Sequence, residues 1–170
     1  MNERVKHIVI NELEALKQRI ASNIVASGQN ASGRTIASLK IEERDSGARL
    51  LGRMPFGTLE AGRKSGKVPG SFIGIIGQWM RDKGIKANPI PYIRIPSDKW
   101  QPKYTPQQRG DISLAGAIAY KIKKEGTKLH RSGGKADVYS NEIPLTLENI
   151  RKQLSGIFTS EIQTININAK

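Results

Sequence analysis

"ASLKIEERDSGARLLGR", residues 37–53, decides the fold class. Ala37, Leu39 and Ile41 alternate with Ser38, Lys40 and Glu42, the two-residue period of a half-buried strand. "RDSG" is turn chemistry, and "ARLLGR" reads as the returning strand. A hairpin is therefore expected from about Thr35 to Arg53. The segments on either side have a different period.

Upstream, Val5, Val9, Leu13, Leu16, Ile20 and Ile24 are spaced as one helix face. Glu3, Glu12 and Glu14 come early and Lys17 and Arg19 later, which suits the helix dipole. Ser27 and Gly28 end this helix. Ile8 and Ile10 broaden the stripe and point to more than one partner surface.

Downstream, "AGRKSGKVPGS", residues 61–71, packs glycines around Arg63, Lys64 and Lys67. It is not a P-loop. Three residues, not four, separate Gly62 from Gly66, and Val68 follows Lys67 where a magnesium-binding hydroxyl is needed. The stretch reads instead as an interface loop, with Gly62 and Gly66 at positive φ and Ser71 capping the next helix. Glu60 is expected to pair with a basic residue of this loop or of a neighbouring copy. In the helix, Phe72, Ile76, Trp79 and Met80 share a face, with Ile73 and Ile75 beside it, and Gly84 closes it.

From Lys86 to Gly110 the chain carries Pro89, Pro91, Pro96, Pro102 and Pro106 with Tyr92, Trp100 and Tyr104. That many prolines argue against a regular element. An extended arm that orders against a partner surface is expected. Asp111 is then the expected cap of a helix with Leu114, Ile118 and Ile122 on its apolar face. Lys121, Lys123 and Lys124 crowd its end, where they suit the helix dipole or meet phosphate. A last helix opens at Pro144 with Leu147, Ile150, Leu154, Ile157 and Phe158 inward. At the end, Ile165 and Ile167 alternate with Asn166 and Asn168, which favours a short strand over helical continuation. The sum is an α+β fold: a small antiparallel sheet packed by three to four helices on one face. A length of 170 residues suggests a single domain.

Net charge is +13, from 28 basic and 15 acidic side chains, which points to a polyanion nearby. Cysteine is absent, excluding disulfides and thiolate chemistry and fitting a cytosolic origin. No run approaches a membrane span, and the acidic N-terminus does not read as a signal peptide. His7 and His130 lack metal-ligand spacing, and no cofactor motif is present. His130 beside Arg131 could suit a ribonuclease, but no nucleophile–base pair accompanies it, so no enzyme is expected.

One resemblance organises these pieces. "LEAGRKSGKVPGSFIGIIGQWMRDKGI" followed by "LAGAIAYKIKKEGTK" resembles the tail-completion or head–tail connector (neck) proteins of tailed bacteriophages. Their pattern is a hairpin with an "(F/L)E-x-G" end, a basic Gly/Pro loop, and a helix with a late Trp and "KGI". A helix ending "I-x-x-K/R-I-x-x-x-G-T" closes it. Leu59, Glu60, Gly62, Gly66, Pro69, Trp79, Lys83, Gly84, Ile85, Ile118, Lys121, Ile122, Gly126 and Thr127 match. The likeness spans about Ala37 to Tyr139. The insertion from Lys86 to Gly110 is longer than that pattern, and the C-terminal segment lacks its phenylalanine-led helix entry. The resemblance implies a structural virion protein, made in the bacterial cytoplasm, whose copies form a ring in the neck. The ring would meet a portal or adaptor protein and tail proteins, with genomic DNA passing through. Interface candidates are then Glu60, Arg63, Lys64, Lys67, Tyr92, Trp100 and Tyr104. Lys121, Lys123 and Lys124 are DNA-channel candidates. A stand-alone, sequence-independent nucleic-acid-binding protein is the alternative.

Overall fold

A computed structural model describes residues 3–93, 102–135 and 137–168. The fold is α+β. The chain runs α1 (Glu3–Ala26), α2 (Arg34–Ala37), β1 (Lys40–Arg44), β2 (Gly47–Leu51), a 3-10 turn (Met54–Gly57), α3 (Thr58–Ala61), α4 (Phe72–Asp82), α5 (Pro106–Glu125), α6 (Lys128–Arg131) and α7 (Glu142–Asn168). The length suggests one domain, but contacts divide the chain into two compact units. One joins residues 1–60 to 135–170; the other is residues 61–134.

The first unit is built on the α1 stripe. Leu16, Ile20 and Ile24 are buried with Leu39 and Val138, and Leu50, Phe56, Leu59 and Tyr139 pack against them. The hairpin pairs Ile41 with Leu50 and Glu42 with Arg49, turning through Asp45 and Ser46. It is shorter than expected. Residues 34–37 make a helical turn instead, entered through Gly33 at φ 72°, whose N–H donates to Asn30 Oδ1 at 3.0 Å. Ser38 Oγ then accepts from the Arg53 N–H at 3.2 Å, closing the base of the hairpin.

Helix α7 lies antiparallel to α1. Arg19 Nε donates to Glu142 Oε2 at 2.9 Å and its Nη2 to Thr146 Oγ1 at 2.7 Å; further along, Gln153 Nε2 donates to Glu12 Oε1 at 2.6 Å. Thr146 is buried, and Ile150, Leu154 and Ile157 are half-buried. Leu147 and Phe158, expected inward, face solvent. The expected C-terminal strand is helix. Extending a formed helix adds a hydrogen bond per residue without new nucleation, whereas a lone strand needs an edge to pair with. The sheet therefore stays two-stranded.

In the second unit, α4 packs on α5. Phe72, Ile76 and Met80 meet Ala115 and Ala119, and Val68, Leu114, Ile118 and Ile122 surround them. Small residues on α5 allow this close approach. Trp79 lies on the open side of α4 and is exposed. Helix α5 starts earlier than its expected Asp111 cap. Thr105 is the N-cap and Pro106 the first helical residue. Thr105 Oγ1 accepts from the Gln108 N–H at 3.2 Å, while Gln108 Oε1 accepts from the Thr105 N–H at 2.9 Å. Pro106 is here a helix starter, since its missing N–H falls where none is needed.

Candidate assembly and polyanion surfaces

Glu60 ends the hairpin side of the first unit and is 7 % exposed. It makes no salt bridge to the basic loop. Its Oε1 instead accepts the backbone N–H groups of Val138, Tyr139 and Ser140 at 2.9, 2.7 and 2.9 Å, and Ser140 Oγ donates to Oε2. Its own carbonyl accepts the Lys135 N–H at 2.9 Å. Burial pushes the carboxyl pKa up, but the Ser140 hydroxyl and the three N–H groups outweigh it and hold the carboxyl below its ordinary range. Glu60 is thus a backbone clamp, sited where the second unit leaves and re-enters the first.

The basic loop is built against the end of α5. Thr127 N–H donates to the Arg63 carbonyl, Arg63 N–H to Thr127 Oγ1, and Gly66 N–H to the Lys123 carbonyl, all at 2.9 Å. Gly62 has φ 68°, and a Cβ there would stand 2.6 Å from Thr127 Oγ1 and 2.5 Å from the His130 nitrogen. Gly66 is also at positive φ, as expected. Ser71 occupies the N-cap position of α4 but makes no side-chain cap. Its ψ of 5° follows a turn closed by the Phe72 N–H on the Pro69 carbonyl, not the extended geometry that aims a capping hydroxyl.

These bonds join two clusters that are separate in sequence. The loop that carries Lys64 and Lys67 is held against the segment that carries Lys121, Lys123, Lys124 and Lys128; all six are exposed, and none makes an ion pair among the described residues. Glu125, the acid in their midst, pairs with Arg131. Tyr120, 67 % exposed, stands on the same helix end. Arg63 is different. It is half-buried, stacks 5.2 Å from the Phe72 ring centroid and donates Nη2 to the Lys67 carbonyl at 2.9 Å. It shapes the loop and is no free contact. His130 holds Nδ1 3.3 Å from the Ala61 carbonyl.

The expected arm is pinned at both stems. Ile90 N–H donates to the Pro106 carbonyl at 2.9 Å, and Ala87 N–H to Asp111 Oδ1 at 2.9 Å. Arg109 stacks 3.8 Å from the Tyr92 ring centroid and donates to the Pro91 carbonyl at 2.9 Å. Residues 86–92 and 106–110 therefore belong to the second unit, and 106–110 are helix. Trp100 lies outside the described residues. Tyr104 lines a groove of about 380 Å³ between α4 and α5, with Ile73, Met80, Ile85 and Ile112.

Asp111, expected as a cap, orders the stem instead. Hydrogen bonds from the Ala87 N–H and the Gln107 amide hold its carboxyl below the ordinary range. Nothing in the sequence marks segment 138–140 as the partner of Glu60, because backbone N–H donors leave no trace there. The start of α5 did leave one, in Thr105-Pro106-Gln107-Gln108. Among the described residues, no group of three His, Cys, Asp or Glu could hold a metal, and no helix is long and apolar enough to cross a membrane. Compared with family models, curated proteins and solved structures, the chain matches none.

Proposed function

We propose that this chain is a structural virion subunit that forms a homo-oligomeric ring in the neck of a tailed bacteriophage. The ring would join head to tail around the DNA channel. One observation carries this reading: large apolar side chains stay uncovered on both units. On α4 they are Ile73, Ile75 and Trp79; on α7 they are Leu147, Phe158, Ile162 and Ile165, each more than a third exposed. Ile75 and Trp79 share one face of α4, and Phe158, Ile162 and Ile165 share one face of α7; grouped exposed apolar side chains of this kind mark assembly surfaces. The resemblance of residues 37–139 to neck proteins supports the same assignment. It also supplies the neighbours: a portal or adaptor protein on one side and tail proteins on the other. Native mass measurement of the purified chain, with electron microscopy of the species found, tests it. Closed rings are expected; a monomer at every concentration would overturn it.

The joined lysine surface favours a second reading, a stand-alone protein that binds nucleic acid without regard to sequence. A monomer that binds random duplexes with a steep salt dependence would support that reading over the ring.

A further inference from the structure

We propose that the distal half of α7 of one copy seats its apolar stripe in the α4–α5 groove of a second copy. The inference rests on the ring reading and names the contact that would build the ring.

Phe158, Ile162 and Ile165 are spaced by four and three residues, so they share one face of α7. They are 54, 59 and 66 % exposed, although helical structure continues to Asn168. The groove offers the matching surface: Ile73 on α4 and Ile112 on α5 are about half exposed on its walls, with Met80 at its base. At about 380 Å³ it lies in the range of small-ligand clefts, ~300–1,000 Å³, and so accepts a few side chains and not a whole element.

Charge identifies the occupant. Each copy carries +13, so copies repel except where basic residues are absent. Residues 153–168 hold a single charged residue, Glu161, and no base. The groove wall carries one cation, Arg81, for Glu161 to meet, and its one acid, Asp111, is already engaged by the Ala87 N–H and the Gln107 amide. The two surfaces differ and lie on different units, so the contact is heterologous. Repeated head to tail, such contacts close rings when the rotation allows.

The absence of cysteine makes the test direct. Ile73→Cys and Phe158→Cys are made as separate full-length variants, mixed, and oxidised. A covalent dimer is expected from the mixture alone, and in a mixture it can form only between copies. Phe158→Glu is expected to reduce the assembly to single chains while the circular dichroism spectrum stays unchanged, because the side chain is exposed. An oligomeric wild type with no mixed disulfide would overturn the groove contact and leave the ring reading standing. A dimer from Phe158→Cys alone would replace it with a symmetric α7–α7 contact. A wild type that is monomeric throughout would remove the ring reading, and this contact with it.

Discussion

Glu60 Oε1 accepts the backbone N–H of Val138 at 2.9 Å across 78 positions of sequence. A side chain with three main-chain donors on one oxygen acts as a staple between distant segments. The Val138 N–H is buried with it and the other two are partly covered, so removing the acceptor leaves the Val138 donor unpaired.

Glu60→Ala is therefore expected to cost on the order of 3 kcal/mol, and Glu60→Gln less, since an amide oxygen still accepts. The carboxyl is held below its ordinary value of 4.5 in the folded chain, so its contribution is full above that pH. It is lost as pH falls through the lower folded value. In thermal melts of wild type and Glu60→Gln from pH 7 downward, the gap should narrow once the pH falls below 4.5. A constant gap would show that the charge adds nothing.

Gly62→Ala and Gly156→Ala should move stability in opposite directions. At Gly62 a side chain meets both positive φ and the Thr127 hydroxyl, with an expected cost of at least about 2 kcal/mol. At Gly156, inside α7, nothing lies within 4 Å of the added Cβ. There alanine should stabilise by about 0.5–1 kcal/mol. Chemical denaturation midpoints read both.

Two hydroxyls at helix starts should behave differently. Thr105→Ala removes the hydroxyl half of the capping box on α5, while the Thr105 N–H can still donate to Gln108, and should cost about 1 kcal/mol. Ser71→Ala should change stability by less than about 0.5 kcal/mol, because its side chain caps nothing. Equal losses in thermal melts would contradict the geometry.

Replacing Lys64, Lys67, Lys123 and Lys124 with Gln should leave the fold intact, since exposed charges add little to stability. Affinity for random-sequence duplex DNA should fall, and the salt slope should flatten by up to about 0.9 per lysine in contact. Fluorescence anisotropy across a salt series measures it. Arg63→Ala should instead lower the melting temperature, because it loses its packing on Phe72 and its bond to the Lys67 carbonyl.

What could be read from the sequence was whatever carries its own period or its own turn chemistry. The α1 stripe, the hairpin turn at Asp45–Ser46 and the α4 face at Phe72, Ile76 and Met80 belong here, as do the glycines of the basic loop. What could not be read depends on partners far along the chain. Glu60 looks like a surface acid until residues 138–140 fold over it. Leu147 and Phe158 fit a helical stripe, but α1 covers only part of the α7 circumference. Helix α5 takes the last five residues of the expected arm, because Pro106 starts a helix there and breaks none. The two lysine clusters join only through the Gly66–Lys123 and Arg63–Thr127 backbone bonds, which no side-chain pattern announces.

The order of segments sets a timetable for synthesis. Residues 61–134 are contiguous and can fold as soon as they emerge from the ribosome. Helix α1 and the hairpin emerge before them yet must wait for residues 135–168, which bring Val138 and α7. At roughly 5–20 residues per second that wait lasts several seconds. Throughout it, Leu16, Ile20 and Ile24 have no Val138 to cover them, so the nascent chain should be most open to chaperones and proteases in this window.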